Sequence, residues 1–368
     1  MLRTLARIDL GAIRRNTNRL AAAAGGAQVC AVVKADAYGH GMVPAARAAL
    51  AGGAAWLGVA TAVEAAGLRE AGCTCRVLVL GALSDEELPI AVESGADVVV
   101  WDERTVARVG ALGGGRVHVK LDTGMGRLGT RDPQAATRIA EIAATTDGVE
   151  VAGLMTHFAT ADDRADGFFG EQLERFRSWA EPLRDVHPAA VLHAANSAAT
   201  LRDPAAHFDL VRPGVALYGM DPFGVDPAEQ SLEPALELSS YVAAVKPIAP
   251  GESVGYGRRF VAERDGRIAT VPIGYGDGWR RGLTNNADVL VRGRRLPLVG
   301  TVSMDNVTLD LALPGGEDVQ VGDEAVLIGE RGGERVLAEE VARRLGTINY
   351  EVTCGIGARV PRLHVPAA

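Results

Sequence analysis

The sequence has few of the features that mark secreted, membrane or nucleic-acid-binding proteins. Its 368 residues include four cysteines, none in a C-x-x-C pair, so we expect reduced thiols in a cytoplasmic protein. The net charge of -8, with both signs interspersed, argues against nucleic acid and membrane surfaces as partners. The apolar runs are far shorter than the roughly 20 residues of a membrane helix. The N-terminal segment has scattered charges and no continuous apolar core, so we expect no secretory signal.

Metal-ligand patterns are also missing. The seven histidines are dispersed without the spacing of a zinc site, so we expect no metal. A G-x-G-x-x-G match in "GMGRLG" does not begin a first βα turn, and it sits behind "KLDT", in the middle of the alternating pattern described next. We therefore do not expect a dinucleotide site there.

Up to about residue 215, short apolar runs alternate with Ala-rich amphipathic segments, one of which opens with a capping box from Ser84 to Glu87. Solidly apolar strands followed by helices indicate a parallel sheet covered on both faces. About eight units predict a closed (β/α)8 TIM-type barrel, with an open doubly wound sheet as the alternative. The runs are Gln28–Val33, Trp56–Ala60, Arg76–Leu80, Asp97–Trp101, Arg116–Leu121, Val149–Met155, Ala190–His193 and Phe208–Val211.

Past about residue 230, strand-like runs separated by Gly, Pro and Asn replace the helices, and only "LAEEVARRLG" is typical of a helix. We therefore predict two domains: a barrel over residues 1–230 and a mostly-β domain over residues 231–368. The prediction allows the first ~8 residues to belong to the β domain instead of the barrel.

Polar side chains recur where the predicted barrel strands end, which is where barrel enzymes carry their sites. Lys34 ends the first strand, in "AVVKADAYGHG". The later strands are followed by "KLDTGMGRLG", "MTHFAT", "AANSAAT" and "VRPGVALYG". The convergent set is Lys34, Lys120, Arg127, His157, Ser197 and Arg212. Each residue alone has an ordinary structural explanation, but the set predicts a site.

These motifs, with "VGYGRRF", "PIGYGDGWRR", "VGTVSMDN" and "INYEVTCGIGARVPR", resemble alanine racemase in order from about Asp9 to Arg362. The resemblance implies a pyridoxal-phosphate-dependent racemase that interconverts L-alanine and D-alanine and supplies D-alanine for peptidoglycan. It also implies a homodimer with shared active sites. Exchanging an α-hydrogen requires a stabilised carbanion, which a Schiff base to a pyridine ring provides. Lys34 is the candidate amine.

For the cofactor phosphate we expect the loops after strands seven and eight, with Ser197 and the N–H groups of Gly214 and Val215. By resemblance, Tyr38 and Tyr350 add hydroxyl donors.

The resemblance places Arg212 against the ring nitrogen, which an arginine leaves unprotonated. Racemisation needs an acid/base on each face of the substrate. The resemblance gives these roles to Lys34 and Tyr256, with an Arg212–His157–Tyr256 hydrogen-bond chain supporting the tyrosine.

The substrate contacts also follow from the resemblance. Arg127 and the loop of Met304 and Asp305 meet the substrate carboxylate, and Tyr275 lines the way in. Lys120 matches a lysine that many members carry N-carboxylated. Tyr256, Tyr275, Met304 and Asp305 come from the partner subunit.

Two alternatives stay open at this point. One is a serine or broad-specificity racemase with the same mechanism. The other is a non-catalytic carrier of the cofactor, which needs Lys34 and the phosphate loops but neither Tyr256 nor a β domain.

Overall fold

The computed structural model describes residues 2–366. They form two compact units. The barrel unit consists of Ile13–Ala37 and Met42–Leu217, and the β unit consists of the described residues up to Ala12, Tyr38–Gly41, and those from Tyr218 onward. The predicted division at residue 230 stays a prediction. No helix within residues 2–366 has the length and apolar character needed to cross a membrane.

The strands in chain order are β1 (Leu5–Asp9), β2 (Gln28–Val32), β3 (Trp56–Val59), β4 (Arg76–Val79), β5 (Asp97–Val100), β6 (Gly115–Lys120), β7 (Val149–Met155), β8 (Val191–His193), β9 (Leu210–Val211), β10 (Leu236–Tyr241), β11 (Ala244–Ile248), β12 (Ser253–Val254), β13 (Phe260–Val261), β14 (Gly266–Val271), β15 (Asp288–Val291), β16 (Arg294–Val299), β17 (Val307–Asp310), β18 (Glu324–Arg331), β19 (Glu334–Val336) and β20 (Arg362–Val365). The helices are α1 (Leu10–Ala23), α2 (Lys34–Gly39), α3 (Met42–Ala51), α4 (Ala62–Glu70), α5 (Glu87–Glu93), α6 (Glu103–Ala111), α7 (Pro133–Thr145), α8 (Phe168–Ala180), α9 (Ser197–Arg202), α10 (Ala338–Leu345) and α11 (Asn349–Cys354). Short 3-10 turns cover Glu181–Arg184, Pro204–Ala206, Val215–Tyr218, Pro227–Gln230, Tyr256–Arg258, Tyr275–Asp277 and Arg281–Leu283.

Strands β2 to β9 form the predicted barrel. They lie in the order β8-β7-β6-β5-β4-β3-β2-β9, and the ladders between neighbours in this order are all parallel. The Asp209 N–H donates to the Leu192 carbonyl at 3.0 Å and the Arg212 N–H to that of Ala195 at 2.8 Å, which joins β9 to β8 and closes the ring. The (β/α)8 prediction is confirmed.

Side chains from six barrel strands meet in one buried apolar cluster. They are Cys30, Trp56, Leu78, Val99, Met155 and Leu210. The predicted capping box before α5 is also present, because Ser84 Oγ accepts from the Glu87 N–H and Glu87 Oε2 from the Ser84 N–H.

The β unit is built on a long mixed sheet in the order β11-β14-β17-β16-β15-β18-β10-β1-β20, with β19 paired to β18. Its ladders are antiparallel apart from the parallel pair of β1 and β20. The N-terminal strand β1 is therefore part of this sheet. The predicted mostly-β character and the helix α10 are confirmed, while α11 was not predicted.

Helix α2 is left-handed. Residues 35–38 have φ between 52° and 55°, and Gly39 continues at 84°. For residues other than glycine this conformation costs roughly 1–2 kcal/mol each, because Cβ crowds the following carbonyl. Such strain persists only where surrounding contacts fix it, and it concentrates at functional sites. The sequence indicated only a turn here.

Candidate active site

Lys34 lies where the buried strand β2 passes into the left-handed helix α2. Val33 before it is 0% exposed, and Lys34 itself is partly buried. The Ala37 N–H donates to the Val33 carbonyl at 2.9 Å, so the helical turn starts on the strand itself. The amine is thus placed at the C-terminal end of the first barrel strand, as the sequence predicted.

Glu64 fixes this turn and was not identified from the sequence. Its Oε1 accepts the Ala35 N–H at 2.7 Å, and its Oε2 accepts those of Ala60 and Thr61 at 2.8 and 3.2 Å. Thr61 caps α4 in return, completing a capping box. One carboxylate therefore ties the Lys34 turn to the next βα loop. The T-x-x-E spacing in "TAVEAA" was the available signal.

Arg212 follows β9 and is 4% exposed. Its Nη1 donates to His193 Nδ1 at 2.8 Å. Its Nη2 donates to the carbonyls of Thr156 and Ala194 at 2.8 and 2.9 Å and to His157 Nδ1 at 3.3 Å. Within residues 2–366, no hydrogen bond uses Nε. Burial lowers the pKa of Arg212 to about 10, which leaves it protonated at neutral pH.

A buried polar chain continues from Arg212 through the barrel, and it was not predicted. His193 Nε2 lies 2.8 Å from His118 Nδ1, and His118 Nε2 lies 3.1 Å from Asp97 Oδ2. Asp97 also accepts from the Nε atoms of Arg76 and Arg116 at 3.0 and 2.6 Å. Asp97, His118 and His193 are all 0% exposed. The sequence signal for this polar chain was one polar residue inside or at the edge of each of three apolar strands, β5, β6 and β8.

Lys120 and Arg127 lie on and after β6. Lys120 is 4% exposed, and burial, followed by the charges of Arg212 and Arg127, lowers its pKa to about 8. Arg127 is exposed on a loop that Asp122 organises by accepting the N–H groups of Gly124 and Gly126. Burial alone raises the pKa of Asp122, but these N–H groups bring it below its usual value. The carboxylate therefore stays ionised and keeps the loop folded.

His157 is positioned by α8. The buried Gln172 donates from Nε2 to the His157 carbonyl at 3.2 Å and accepts the Ala159 N–H at 2.8 Å. Burial, and then the charge of Arg212, place the pKa of His157 well below its usual value, so the ring is neutral.

Ser197 begins α9 and is 3% exposed. Its Oγ accepts the N–H groups of Gly214 and Ala216 at 2.8 and 3.3 Å, so the loop after β8 is bonded to the loop after β9. The Gly214 N–H, which the sequence assigned to an anion, donates to Ser197 here. Val215, buried in the same loop, starts the 3-10 turn.

In the β unit, three tyrosines meet. The Tyr38 ring lies 5.2 Å from that of Tyr218 and 5.9 Å from that of Tyr350. Burial, followed by the proximity of Tyr350, raises the pKa of Tyr38, so its hydroxyl stays protonated and can act as a donor.

The remaining predicted residues of the β unit are exposed. Tyr256 is 74% exposed, Tyr275 43% and Met304 51%, and Asp305 is also exposed. The backbone under Tyr275 and Met304 is nevertheless fixed. The Tyr275 N–H donates to the Ser303 carbonyl and the Gly276 N–H to that of Met304, at 3.0 and 2.9 Å.

Arg359 holds the same two loops from the side by pairing with Asp305 at 2.6 Å and with the buried Asp277 at 3.2 Å. Sequence analysis did not identify Arg359 or Asp277. Large exposed side chains on a fixed backbone are typical of a surface that binds a partner.

An amine, a buried guanidinium and a serine hydroxyl at the C-terminal ends of barrel strands define a barrel enzyme with a site for a small anionic molecule. Family models narrow this class. The model described as "Alanine racemase, N-terminal domain" matches residues 8–222, and "Alanine racemase, C-terminal domain" matches residues 235–364. The chain belongs to the alanine racemase family.

Individual relatives agree over nearly the whole chain. The alanine racemase of Thermobifida fusca is 44% identical over 372 residues, covering 98% of both chains. That of Symbiobacterium thermophilum is 42% identical, covering 98% of this chain and 97% of its own. The solved alanine racemase of Streptomyces coelicolor A3(2) superposes with a TM-score of 0.93 at 39% identity, covering 98% of each chain. That of Bacillus anthracis, solved with bound L-Ala-P, gives 0.89 at 37%, covering 99% and 95%.

Proposed function

We propose that this chain is a pyridoxal-phosphate-dependent enzyme that interconverts L-alanine and D-alanine. The observation that carries the proposal is the fixed guanidinium of Arg212 at the same barrel end as the partly buried amine of Lys34. The similarity to curated alanine racemases over 98% of the chain supports the same function.

The residues at this barrel end fit the cofactor. The Nε–H of Arg212, a residue that is 4% exposed overall, has no acceptor among residues 2–366, which suits a ring nitrogen. Ser197 Oγ accepts two N–H groups and retains its own proton to donate to a phosphate. We assign the protonated Tyr38 hydroxyl of the β unit to the same phosphate as a further donor. When bound, the cofactor withdraws electrons from the α-carbon of the amino acid attached to it. We assign Lys34 as its covalent partner, and Gly214, Val215 and Tyr350 to its phosphate.

Arg212 then limits the chemistry. Because a guanidinium keeps its protons near neutral pH, Arg212 would donate to the ring nitrogen of a bound cofactor without protonating it. Such a cofactor would withdraw electrons from the α-carbon less strongly than one with an acidic partner. This favours racemisation over transamination.

Two bases serve the two faces of the substrate. We assign Lys34 to the α-proton of D-alanine and Tyr256 to that of L-alanine. Arg212 donates to His157 Nδ1, so the neutral His157 carries its proton on Nε2 and can only donate there. A donor facing the Tyr256 oxygen stabilises the phenolate, which is the form that acts as a base.

The substrate carboxylate is assigned to Arg127 and to the Met304 backbone N–H beside Asp305, with Tyr275 lining the way in. A pKa of about 8 leaves about one Lys120 amine in ten neutral at neutral pH. Since only the neutral amine reacts with carbon dioxide, this supports N-carboxylation of Lys120.

The working unit is a homodimer in which Tyr256, Tyr275, Met304 and Asp305 complete the site of the partner subunit. Their exposure on a fixed backbone supports this arrangement, because a water-exposed tyrosine is not positioned for catalysis. We further propose a cytoplasmic enzyme that supplies D-alanine for peptidoglycan.

The test is to purify the protein with its cofactor and follow the loss of optical rotation with L-alanine, L-serine and L-lysine. We expect a visible absorption band and racemisation of alanine. Faster turnover of L-serine would reassign the substrate. A visible band with no racemisation of any amino acid would indicate a carrier and would contradict the proposal.

A further inference from the structure

Four buried side chains connect the two ends of the barrel interior. Arg212 follows β9 at the C-terminal end, whereas Asp97 is the first residue of β5 at the N-terminal end. His193 and His118 bridge them, with nitrogen-to-nitrogen and nitrogen-to-oxygen distances of 2.8, 2.8 and 3.1 Å from Arg212 to Asp97. Each member is at most 4% exposed.

The direction of every bond in this chain is fixed by chemistry. A guanidinium only donates, so His193 Nδ1 must accept and its proton must lie on Nε2. That proton is donated to His118 Nδ1, which places the His118 proton on Nε2, facing Asp97. The carboxylate only accepts, so all three bonds are satisfied with both histidines neutral.

The charges around the chain agree with this assignment. Burial lowers the pKa of both histidines, so neither carries a second proton. At His193 the charge of Arg212 adds to this effect, and at His118 the hydrogen bond and charge of Asp97 oppose it without cancelling it. Burial alone raises the pKa of Asp97, but His118, Arg76 and Arg116 bring it below its usual value. Asp97 therefore remains an anion at the far end of the chain.

We propose that Asp97 and His118 are positioning residues which, through His193, fix the guanidinium of Arg212 by holding both histidines as Nε2–H tautomers. The inference rests on the proposed function, in which Arg212 faces the cofactor ring. The side chain at position 97 matters because the hydrogen bonds between it, His118 and His193 can all reverse direction together. An amide at position 97 can turn either its oxygen or its NH2 group toward His118 Nε2, so this position no longer fixes the tautomer. With the NH2 group facing His118, the His118 proton lies on Nδ1 and the His193 proton is forced onto its own Nδ1. That proton then opposes an Arg212 N–H, and the Nη1 bond is lost.

The test uses the full-length, cofactor-loaded protein labelled with 15N-histidine. The protonated and unprotonated ring nitrogens have distinct 15N shifts, so the tautomers of His118 and His193 are read directly. Wild type should show both with Nδ1 unprotonated. Asp97→Asn should show a mixture of tautomers, in which part of the His118 and His193 Nδ1 signal is protonated. Its kcat for alanine should fall about 10–100-fold, which is the loss typical of replacing a residue that orients a metal ligand by a hydrogen bond. Its KM should change by less than about 2-fold.

Asp209→Asn is the matched control. Asp209 also sits at the N-terminal end of the barrel strands and pairs with an arginine, Arg184, at 3.0 Å, but it is not part of the chain. It should keep the wild-type tautomers and kcat. If Asp97→Asn does not fold, His118→Phe, which keeps a ring beside Trp56, should show the same loss of kcat.

A protonated Nδ1 in wild-type His118 or His193 would overturn the proposal. So would an active enzyme in which Asp97→Asn, or the folded His118→Phe, has the wild-type kcat. A wild-type protein without racemase activity would instead refute the proposed function, and the tautomers alone would then decide the hydrogen-bond chain.

Discussion

Replacing Glu64 tests whether a single carboxylate keeps the Lys34 turn in its left-handed form. Glu64 accepts three backbone N–H groups, from Ala35, Ala60 and Thr61. Each such bond contributes about 1 kcal/mol net at a partly exposed site, so Glu64→Ala should cost about 3 kcal/mol of unfolding free energy. Glu64→Gln keeps one acceptor oxygen and should cost about 1–2 kcal/mol.

The consequences for the turn are larger than for the fold. Residues 35–38 are held against roughly 1–2 kcal/mol of strain each, so losing the Ala35 bond should let the turn open. Displacing a reacting group by about 1 Å can cost about 100-fold in rate, so we expect kcat of Glu64→Ala to fall at least 10-fold. Urea unfolding measures the loss of unfolding free energy in Glu64→Ala. Hydrogen exchange of the peptide covering residues 34–41 reports the opening.

Glu70→Gln is the control, because Glu70 is an exposed carboxylate at the other end of the same helix. Glu70→Gln should change neither the free energy of unfolding nor the opening free energy of residues 34–41, measured by hydrogen exchange, by more than about 0.5 kcal/mol, the usual range for surface positions. If Glu64→Ala keeps wild-type exchange protection over residues 34–41 and full activity, Glu64 does not hold the turn.

Other predictions address the amine, the modified lysine and the shared site. Lys34→Ala should lose the visible band and nearly all activity, and a borohydride-stable link to the cofactor in this variant would exclude Lys34 as its partner. Carboxylation of Lys120 should increase as pH rises through about 8, because the neutral amine fraction grows over that range; 13C-NMR with labelled bicarbonate measures it, and the absence of a carbamate signal well above that pH would contradict the assignment. Mixing inactive Lys34→Ala and Tyr256→Phe subunits should restore part of the activity, and no rescue despite proven exchange of subunits would refute shared sites.

The barrel could be predicted from the sequence because its strands are continuous apolar runs. Runs such as "WLGV" in β3 are buried at every position, and each is followed by a helix, which is the pattern of a parallel sheet covered on both faces. Lys34, Lys120, Ser197 and Arg212 were found for a related reason: strand ends in such a barrel converge at one face, so sequence position alone indicates proximity.

The handedness of α2 could not be predicted, because Asp36 is the one residue of "KADAYG" before its final glycine that tolerates positive φ well, and such residues adopt it singly and not in helices. It depends on a contact with Glu64, which lies 29 residues from Ala35. The chain from Asp97 to His193 was missed for the same reason. Its members lie 21 and 75 residues apart, so only the closed barrel brings them together.

The most direct test of the two-base account is hydrogen exchange at the α-carbon in Tyr256→Phe. The variant is incubated with each enantiomer of alanine in deuterated water, and deuterium incorporation is measured. Lys34 alone should still exchange D-alanine, while exchange of L-alanine falls by about 10²–10⁴-fold, the usual loss on removing a positioned general base. Equal exchange of both enantiomers would mean that one base reaches both faces, and the assignment of Lys34 and Tyr256 to opposite faces would be wrong.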